Sequence, residues 1–231
     1  MRPFAQARSL EALNALARGR DVRTESGHAV SFVSAASNEN YELRIDRTGE
    51  VATRADNAHD WFNALAWLAF PHTKARINAM HAAAIPGEGG RRGRLRDMLS
   101  IFDEGGALVV SSDARLIELV GAHRWKELFW DHRERVRAAM RFLVLGHAVL
   151  EQALQPRPGI TCKAIFARAD EDPDARAAAW LAARGPQTSP QELAPLPVLG
   201  YPGWMPGNDG PEFYEDARYF RPGGKIQGKA G

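Results

Sequence analysis

Residues 141–169, RFLVLGHAVLEQALQPRPGITCKAIFARA, decide the fold class. Two apolar runs in this stretch, residues 141–146 and 159–169, have the length and composition of buried strands. The segment between them has helical character until Pro156 and Pro158, because proline cannot continue a helix. A strand, a helix and a strand in this order predict a βαβ unit, and therefore a mixed sheet covered by helices.

The rest of the sequence supplies further helices and short strands around this unit. Helices are predicted for residues 4–17, 57–70, 71–85 and 113–140, with a short one before the Gly105–Gly106 turn. Strands are predicted for residues 28–34, 107–112 and 41–54, the last folding back as a hairpin at residues 47–49. We therefore predict a helix-rich α/β domain around a small mixed sheet of four to six strands.

The C-terminal region changes in composition from Pro186 onward. Eight of the fourteen prolines lie between Pro186 and Pro222, together with glycines and six aromatic residues. A flexible linker is poor in aromatic residues, so we expect this tail to wrap over the body with its rings as anchors. A single domain of residues 1–222 follows, with an N-terminal helical segment (1–27), the wrapping tail (186–222) and a disordered end (223–231).

Composition and charge exclude several classes of protein. Thirty basic residues against twenty-eight acidic ones give a formal net charge of +2, which is no footprint of nucleic-acid binding by itself. The N-terminus lacks the apolar stretch of a secretory signal, and no apolar run is long enough to span a membrane. With Cys162 as the only cysteine, no internal disulfide can form. We expect a soluble, cytoplasmic protein.

Two ionisable residues, His59 and Asp60, open the apolar helix predicted from Asn57 onward. Asp56 or Asn57 can cap this helix by accepting hydrogen bonds from its first N–H groups. The helix dipole favours an anionic Asp60 and a neutral His59, and neutral imidazole acts as a base or as a metal ligand. Asn63 lies four residues after His59 on the same face, where its amide can orient the ring or a bound ligand. Alternatively, both residues only satisfy local hydrogen bonds.

A second histidine, His147, begins the helix that follows the strand of residues 141–146. Gly146 permits a tight turn before it, and Glu151 lies one helical turn later on the same face. This spacing lets the two side chains bind one metal ion, or lets the carboxylate orient the imidazole. A satisfied buried pair is the alternative. The position favours a site, since ligands of α/β proteins bind beyond the carboxyl ends of strands.

Three more carboxylates, Asp97, Asp103 and Glu104, lie around the helix that precedes Gly105. They can hold a cation, but we favour the interpretation that they end the helix. We set Cys162 aside as a nucleophile, because nothing in its strand exposes or activates it.

Several stretches together resemble a bacterial family catalogued as "domain of unknown function 3025". They are HDWFNALAWLAFPHTKARIN, RGRLRDMLSIFDEGG, LGHAVLE, GITCKA and LPVLGYPGWMPGNDGPEFYEDARYFRP, and they cover most of the chain from about residue 40. The family carries no activity to transfer, but the resemblance implies that the tail belongs to the domain. The resembling stretches contain the candidate site residues His59, Asp60, Asn63, Asp97, Asp103, Glu104, His147, Glu151, Asn208 and Asp216.

The preferred functional hypothesis is an enzyme, a hydrolase acting on a small-molecule substrate. His59, Asp60, Asn63, His147 and Glu151 are the candidate catalytic residues, and His147, Glu151 and His59 can hold a divalent metal such as zinc.

Two alternatives stay open. One is a binding module that uses the aromatic tail around Trp204 and Tyr214. The other is nucleic-acid binding through the residues of the Arg91–Arg96 loop, which we do not expect because aromatic residues are missing there. An enzyme requires the two helix-start histidines to meet in one hollow, whereas a binding module leaves them separately paired.

Overall fold

The computed structural model describes residues 9–34, 39–54, 56–89 and 91–223. The helices are α1 (Leu10–Gly19), α2 (Tyr41–Thr48), α3 (Ala58–Ala69), α4 (Pro71–Ala84), α5 (Arg94–Gly105), α6 (Ala114–Gly121), α7 (Arg133–Ala139), α8 (His147–Gln152) and α9 (Pro173–Ala182). The strands are β1 (Ser31–Val33), β2 (Glu50–Ala52), β3 (Gly106–Ser111), β4 (Met140–Val144), β5 (Cys162–Arg168) and β6 (Ala194–Leu196). The predicted start of the first helix at residues 4–8 and the predicted disorder of residues 224–231 lie outside the described residues.

The main sheet is mixed, in the order β4-β3-β5-β6, which confirms the predicted α/β class. Strand β3 pairs antiparallel with β4 and parallel with β5, and β5 pairs antiparallel with β6. The predicted βαβ unit is wrong, because β4 and β5 run antiparallel to each other, with β3 between them. All six residues of β3 are buried, and a strand that is covered on both faces takes the centre of a sheet.

The core lies on both faces of this sheet. Successive residues of β3 alternate between two clusters: Ala107 and Val109 belong to one, and Leu108 and Val110 to the other. The first cluster includes the rings of the C-terminal tail, while the second packs against α5 and α9. A third cluster joins α1 and α3 to the small parallel sheet of β1 and β2.

The strand predicted for residues 41–54 is mostly helix α2. The side chain of Asn40 accepts hydrogen bonds from the N–H groups of Glu42 and Leu43, and so begins the helix. Gly49 ends it with a φ of 75°, at a point where a Cβ would lie 2.2 Å from the carbonyl oxygen of Ala29. The sequence contains both capping residues, but the strand prediction rests on the alternation of apolar side chains.

The helix predicted for residues 113–140 is interrupted, and one helix was missed. After α6, a π-helical turn (Glu127–Asp131) leads into α7. Helix α9 was not predicted, although Asp172 caps it by accepting hydrogen bonds from the N–H groups of Asp174 and Ala175. Pro173 at its first position is a second start signal that the prediction did not use.

The tail packs over the body through its tyrosines, as expected, of which Tyr219 is buried and Tyr201 partly buried. The Tyr219 hydroxyl donates to the carbonyl oxygen of Ile160 at 2.7 Å, and the Tyr201 hydroxyl donates to that of Met140 at 2.9 Å. Within the described residues, no helix combines the length and the apolar character that crossing a bilayer requires.

Candidate active site

The positions of the two histidines follow from how their helices begin. The side chain of Asn57 accepts a hydrogen bond from the N–H of Asp60 at 2.9 Å, which fixes His59 in the first turn of α3. His147 is the first residue of α8, directly after the turn that leaves β4. Both helices therefore carry a histidine in their first turn, as the sequence predicts.

The register of the sheet adds an acidic residue to His147. Ala107 of β3 pairs with Val144 of β4, so the start of one strand lies beside the end of the other. Asp103, at the end of α5 just before β3, is thereby brought to His147. The contact is close: a Cβ on Gly146 would lie 2.6 Å from the carbonyl oxygen of Glu104, so only glycine fits here.

The two imidazoles meet through their Nε2 atoms, which lie 3.0 Å apart. Their rings are nearly perpendicular, at 77°. On the outer side, the Nδ1 of His59 lies 3.1 Å from Oε2 of Glu151. On the inner side, the Nδ1 of His147 lies 3.8 Å from Oδ2 of Asp103, and this buried nitrogen has no hydrogen-bond partner among the described residues. The two imidazoles thus lie between the carboxylates of Glu151 and Asp103, and we call these four side chains the histidine row.

A polar branch continues from Asp103 into the interior. The Nζ of Lys74 contacts Oδ1 of Asp103 and donates to Oδ1 of Asn63 at 2.8 Å. The amide nitrogen of Asn63 donates to the Tyr41 hydroxyl, also at 2.8 Å.

Asp174 of α9 holds the start of α4 in place by accepting from the N–H groups of residues 72 and 73.

The cluster is open at one end and closed at the other. The side chains of His59 and Glu151 are 40% and 43% exposed. Those of His147 and Lys74 are only 6% and 4% exposed. A molecule from solvent therefore reaches His59 and Glu151 first, and the other groups act through them.

Burial controls the charge state of the inner groups. It lowers the pKa of His147 to about 4, against the opposing effect of Asp103, so this ring is neutral at pH 7. Burial also disfavours ionisation of Asp103, but Lys74 and His147 outweigh it and leave the pKa of that carboxyl below its ordinary value. A neutral His147 and an anionic Asp103 follow.

The hydrogen-bonding capacity of the row fixes its protons. The Glu151 carboxylate only accepts, so the Nδ1 of His59 carries the N–H group that faces it. The Nε2 of His59 can then accept, and the neutral His147 donates to it from its own Nε2. This tautomer leaves the Nδ1 of His147 without a proton, in agreement with its lack of a hydrogen-bond partner among the described residues. The hydrogen bonds of the row therefore run from His147 through His59 to Glu151.

The comparison with protein families gives a match that includes this part of the molecule. The family model described as "Protein of unknown function (DUF3025)" matches residues 30–224. The chain belongs to this family. The matched range contains the whole histidine row, its polar branch and the tail. No curated protein and no solved structure matches the chain.

Asp60 and Asn63 do not have the contacts predicted for them in this DUF3025 member. Asp60 lies outside the row, where Arg54 binds its two carboxylate oxygens at 2.7 and 3.0 Å. Asn63 does not orient His59 but joins Lys74 to Tyr41. Glu151 orients His59 of another helix, not the His147 of its own. The i, i+4 spacing therefore predicts a contact of Glu151 with His147, whereas the structure shows its contact with His59.

The remaining predicted candidates of this DUF3025 member lie apart from the row, except Asp103. Asp97 pairs with Arg92 at the surface, and Glu104 is exposed. Asn208 is buried in the tail, and Asp216 forms a surface pair with Arg218. Asp103 itself was expected to end a helix, whereas its carboxylate binds Lys74.

The sequence analysis missed the contribution of α4. Lys74, Asn78 and His81 recur at helical spacing along one face, and all three are buried. The Nδ2 of Asn78 donates to Oε2 of Glu42 at 2.7 Å, and Nδ1 of His81 accepts from Arg96. The signal in the sequence was this series of polar residues along one face of a helix that begins without a side-chain cap of its own.

The zinc hypothesis has no matching site in the described ranges. No group of three or more His, Cys, Asp or Glu side chains there is arranged to hold a metal ion. Two surface hollows lie elsewhere, one beside Trp125 and Phe220 and the other beside Pro71 and Asp172. The first is also lined by ionisable side chains, among them Glu127, Asp131 and His132, but neither is lined by two imidazoles in contact with each other, so the row is the candidate site of this DUF3025 member.

Proposed function

We propose that this protein is a hydrolase of small molecules in which His59 and Glu151 carry out general acid–base catalysis. The observation that carries the proposal is the 3.0 Å contact between the Nε2 atoms of His59 and His147, placed between two carboxylates and open to solvent at one end. Perturbed titratable groups that converge at a partly exposed place are typical of catalytic sites.

The proposed step is proton transfer from water. A water molecule at the open end gives a proton to the carboxylate of Glu151, which the N–H group of His59 holds in place, and the water O–H bond breaks. The resulting hydroxide adds to the electrophilic atom of the substrate. The bond to the leaving group then breaks and the proton on Glu151 passes to the leaving group, so the protein ends unchanged.

The inner groups are positioning residues in this proposal. His147 orients His59 by donating to its Nε2, and Asp103 lies near the other nitrogen of His147. Lys74 offsets the charge of Asp103. The buried end of the row is therefore free of net charge.

The two alternatives have less support in the contacts. A binding module through the tail needs exposed rings, but Tyr214, Tyr219 and Phe220 are buried. Trp204 is 40% exposed and is a single ring. In the basic loop, Arg92 pairs with Asp97 and Arg96 with Glu88, so these two arginines already have acidic partners.

Hydrolysis of a panel of chromogenic substrates tests the proposal. The panel contains a carboxylic ester, an anilide, a phosphate monoester and a glycoside, each with a nitrophenyl or nitroanilide leaving group. We expect hydrolysis of at least one class, with kcat/KM reduced by about 100-fold or more in His59→Ala and Glu151→Gln. Asp60→Asn is the matched control, because it changes an acid on the same helix outside the row. Full activity in the first two variants, or no activity in the native protein, would overturn the proposal.

A further inference from the structure

We propose that the open end of the histidine row binds substrates that carry a positively charged nitrogen next to an apolar group. In this proposal the carboxylate of Glu151 holds the charged nitrogen, and the side chain of Leu154 contacts the apolar group. The catalytic meaning of this binding rests on the proposed function, but the binding itself does not require hydrolysis.

The charges around the row lead to the first half of this inference. Arg54 binds the carboxylate of Asp60. Lys74 contacts that of Asp103. Glu151 differs from both, because its partner is a neutral imidazole and it forms no ion pair with a lysine or an arginine of the described residues. Its negative charge is therefore left for a ligand to offset.

The carboxylate of Glu151 is open to such a ligand. Its side chain is 43% exposed, and Oε2 is the oxygen that is bonded to His59. The other oxygen, Oε1, has no hydrogen-bond donor in the part of the chain that the structure describes. A carboxylate oxygen accepts two hydrogen bonds, so Oε1 can take one from the reacting water and one from an N–H group of the substrate.

A large apolar side chain lies beside this carboxylate. Directly after α8 the N–H of Leu154 donates to the carbonyl oxygen of Glu151 at 3.1 Å. In a turn with bonds of this span, side chains three residues apart lie above one another, so Leu154 and Glu151 point to the same side of the chain. Leu154 is 64% exposed, more than any other large apolar side chain of the described residues. An apolar group next to the charged nitrogen of a ligand would cover it and be buried by it.

A positive charge on the substrate also suits the proposed reaction. Attack by hydroxide places negative charge on the substrate, and positive groups or N–H donors stabilise that charge. The two basic side chains described near the row, Lys74 and Arg54, are already bound to carboxylates. A cationic group of the substrate is attracted to Glu151 before the proton transfer and to the new oxyanion after it.

Benzamidine, benzamide and benzoate test this inference, because the three probes share one shape and differ in charge. Each is titrated into full-length protein with ¹⁵N-labelled histidine rings. The nuclear magnetic resonance signal of His59, assigned by its loss in His59→Ala, reports binding next to Glu151. We expect a saturable shift with benzamidine, an apparent Kd about fivefold higher for benzamide, and no saturable shift with benzoate.

Three variants separate the two halves of the proposed contact. Glu151→Gln keeps the shape of the side chain and removes its charge, so the preference for benzamidine over benzamide should disappear. Leu154→Ser should raise the apparent Kd of both probes by about threefold, whereas Leu154→Met stays apolar and should retain the native values. Glu118→Gln is the control for charge, since Glu118 is an exposed carboxylate of α6 that pairs with Arg115, and it should leave the preference unchanged.

The outcomes distinguish this inference from the proposed function. A preference for benzamidine that depends on Glu151 supports the inference even if no chromogenic substrate is hydrolysed, a result that would overturn the proposed function alone. No saturable shift with benzamidine, equal affinities for the three probes, or a preference that persists in Glu151→Gln overturns the inference. Hydrolysis that depends on Glu151 would then leave the proposed function standing. Native affinities in Leu154→Ser would show that the apolar contact is wrongly assigned.

Discussion

The tail and the histidine row bury polar groups in opposite ways. In the tail, each buried polar side chain bonds to main-chain atoms: Asn208 donates to the carbonyl oxygens of Leu199 and Tyr201 and accepts from the N–H of Gly203. In the row, ionisable side chains bond to one another, and the buried Nδ1 of His147 has no bond among the described residues.

This difference separates stability from function. A polar group that is bonded to main chain is fully satisfied and fixes the fold around it. A group of buried ionisable side chains costs free energy of desolvation and gains little that an apolar core would not provide. We infer that the tail is built to hold the domain together, and that the row is kept for its chemistry. The following predictions test this contrast, from the largest expected effect to the smallest.

Removal of Lys74 should produce the largest loss of stability. Lys74→Met leaves the Asp103 carboxylate buried without its cation, which costs about 3–5 kcal/mol of the free energy of unfolding. Urea denaturation measures this loss. The double variant Lys74→Met/Asp103→Leu should recover most of it, because no unpaired charge remains.

Lys126→Met is the control for that experiment. Lys126 pairs with Glu215 at the surface, where solvent screens such a pair and it contributes little to stability. Equal losses in Lys74→Met and Lys126→Met would remove the distinction between the buried row and the surface.

The pH dependence of stability should arise from buried ionisable groups in and near the histidine row, not from groups in the tail. Burial lowers the pKa of His81 and His147 to about 4, so the unfolded chain binds more protons than the folded one as the pH falls from 6.5 to 4. Their contribution to stability is complete above pH 6.5 and is lost across that interval. Burial raises the pKa of Glu42 to about 7, which has the opposite sign, so its contribution is lost as the pH rises from 4.5 to 7.

Glu42→Gln isolates the second contribution. Relative to the native protein, this variant should gain roughly 2–3 kcal/mol as the pH rises from 4.5 to 8, because a buried carboxylate no longer has to ionise. Denaturation midpoints measured at several pH values give the difference. A constant difference between the two proteins at all pH values would show that Glu42 titrates normally.

Asn208→Ala should weaken the tail without changing the row. It removes three hydrogen bonds and leaves buried main-chain groups unpaired, at a cost of about 2 kcal/mol. The histidine ring signals in nuclear magnetic resonance should stay where they are. A shift of the His59 or His147 signals in this variant would mean that the two regions are coupled and that the contrast is too simple.

Glu151→Gln should have the smallest effect on stability, under about 0.5 kcal/mol, because its bond to His59 is half exposed. The same change should nevertheless shift the ring signals of His59, since the negative charge beside its Nδ1 is gone. A large loss of stability would assign Glu151 a structural role instead.

The sequence predicted the parts of the site that local signals determine. His59 and His147 could be placed at helix starts because Asn57, Gly146 and the ends of the apolar runs lie next to them in the chain. Lys74 and Tyr41 could not be found in this way, since their partners come from other helices. The order of the strands was equally out of reach, because nothing local to β4 and β5 shows that β3 lies between them.

The wrong strand at residues 41–48 has a different cause. Eight residues with alternating apolar side chains satisfy a strand pattern and a helix pattern equally well, and only the caps at Asn40 and Gly49 separate the two. That error hid the contact of Tyr41, the first residue of α2, with Asn63.

The hydrogen bond between the two histidines can be observed directly. In protein labelled with ¹⁵N in the histidine rings, a hydrogen bond between the Nε2 atoms of His59 and His147 transmits a scalar coupling from one nitrogen to the other. The account predicts that this coupling is present near neutral pH, with the proton attached to the Nε2 of His147. Two rings without coupling, each titrating independently of the other, would contradict it.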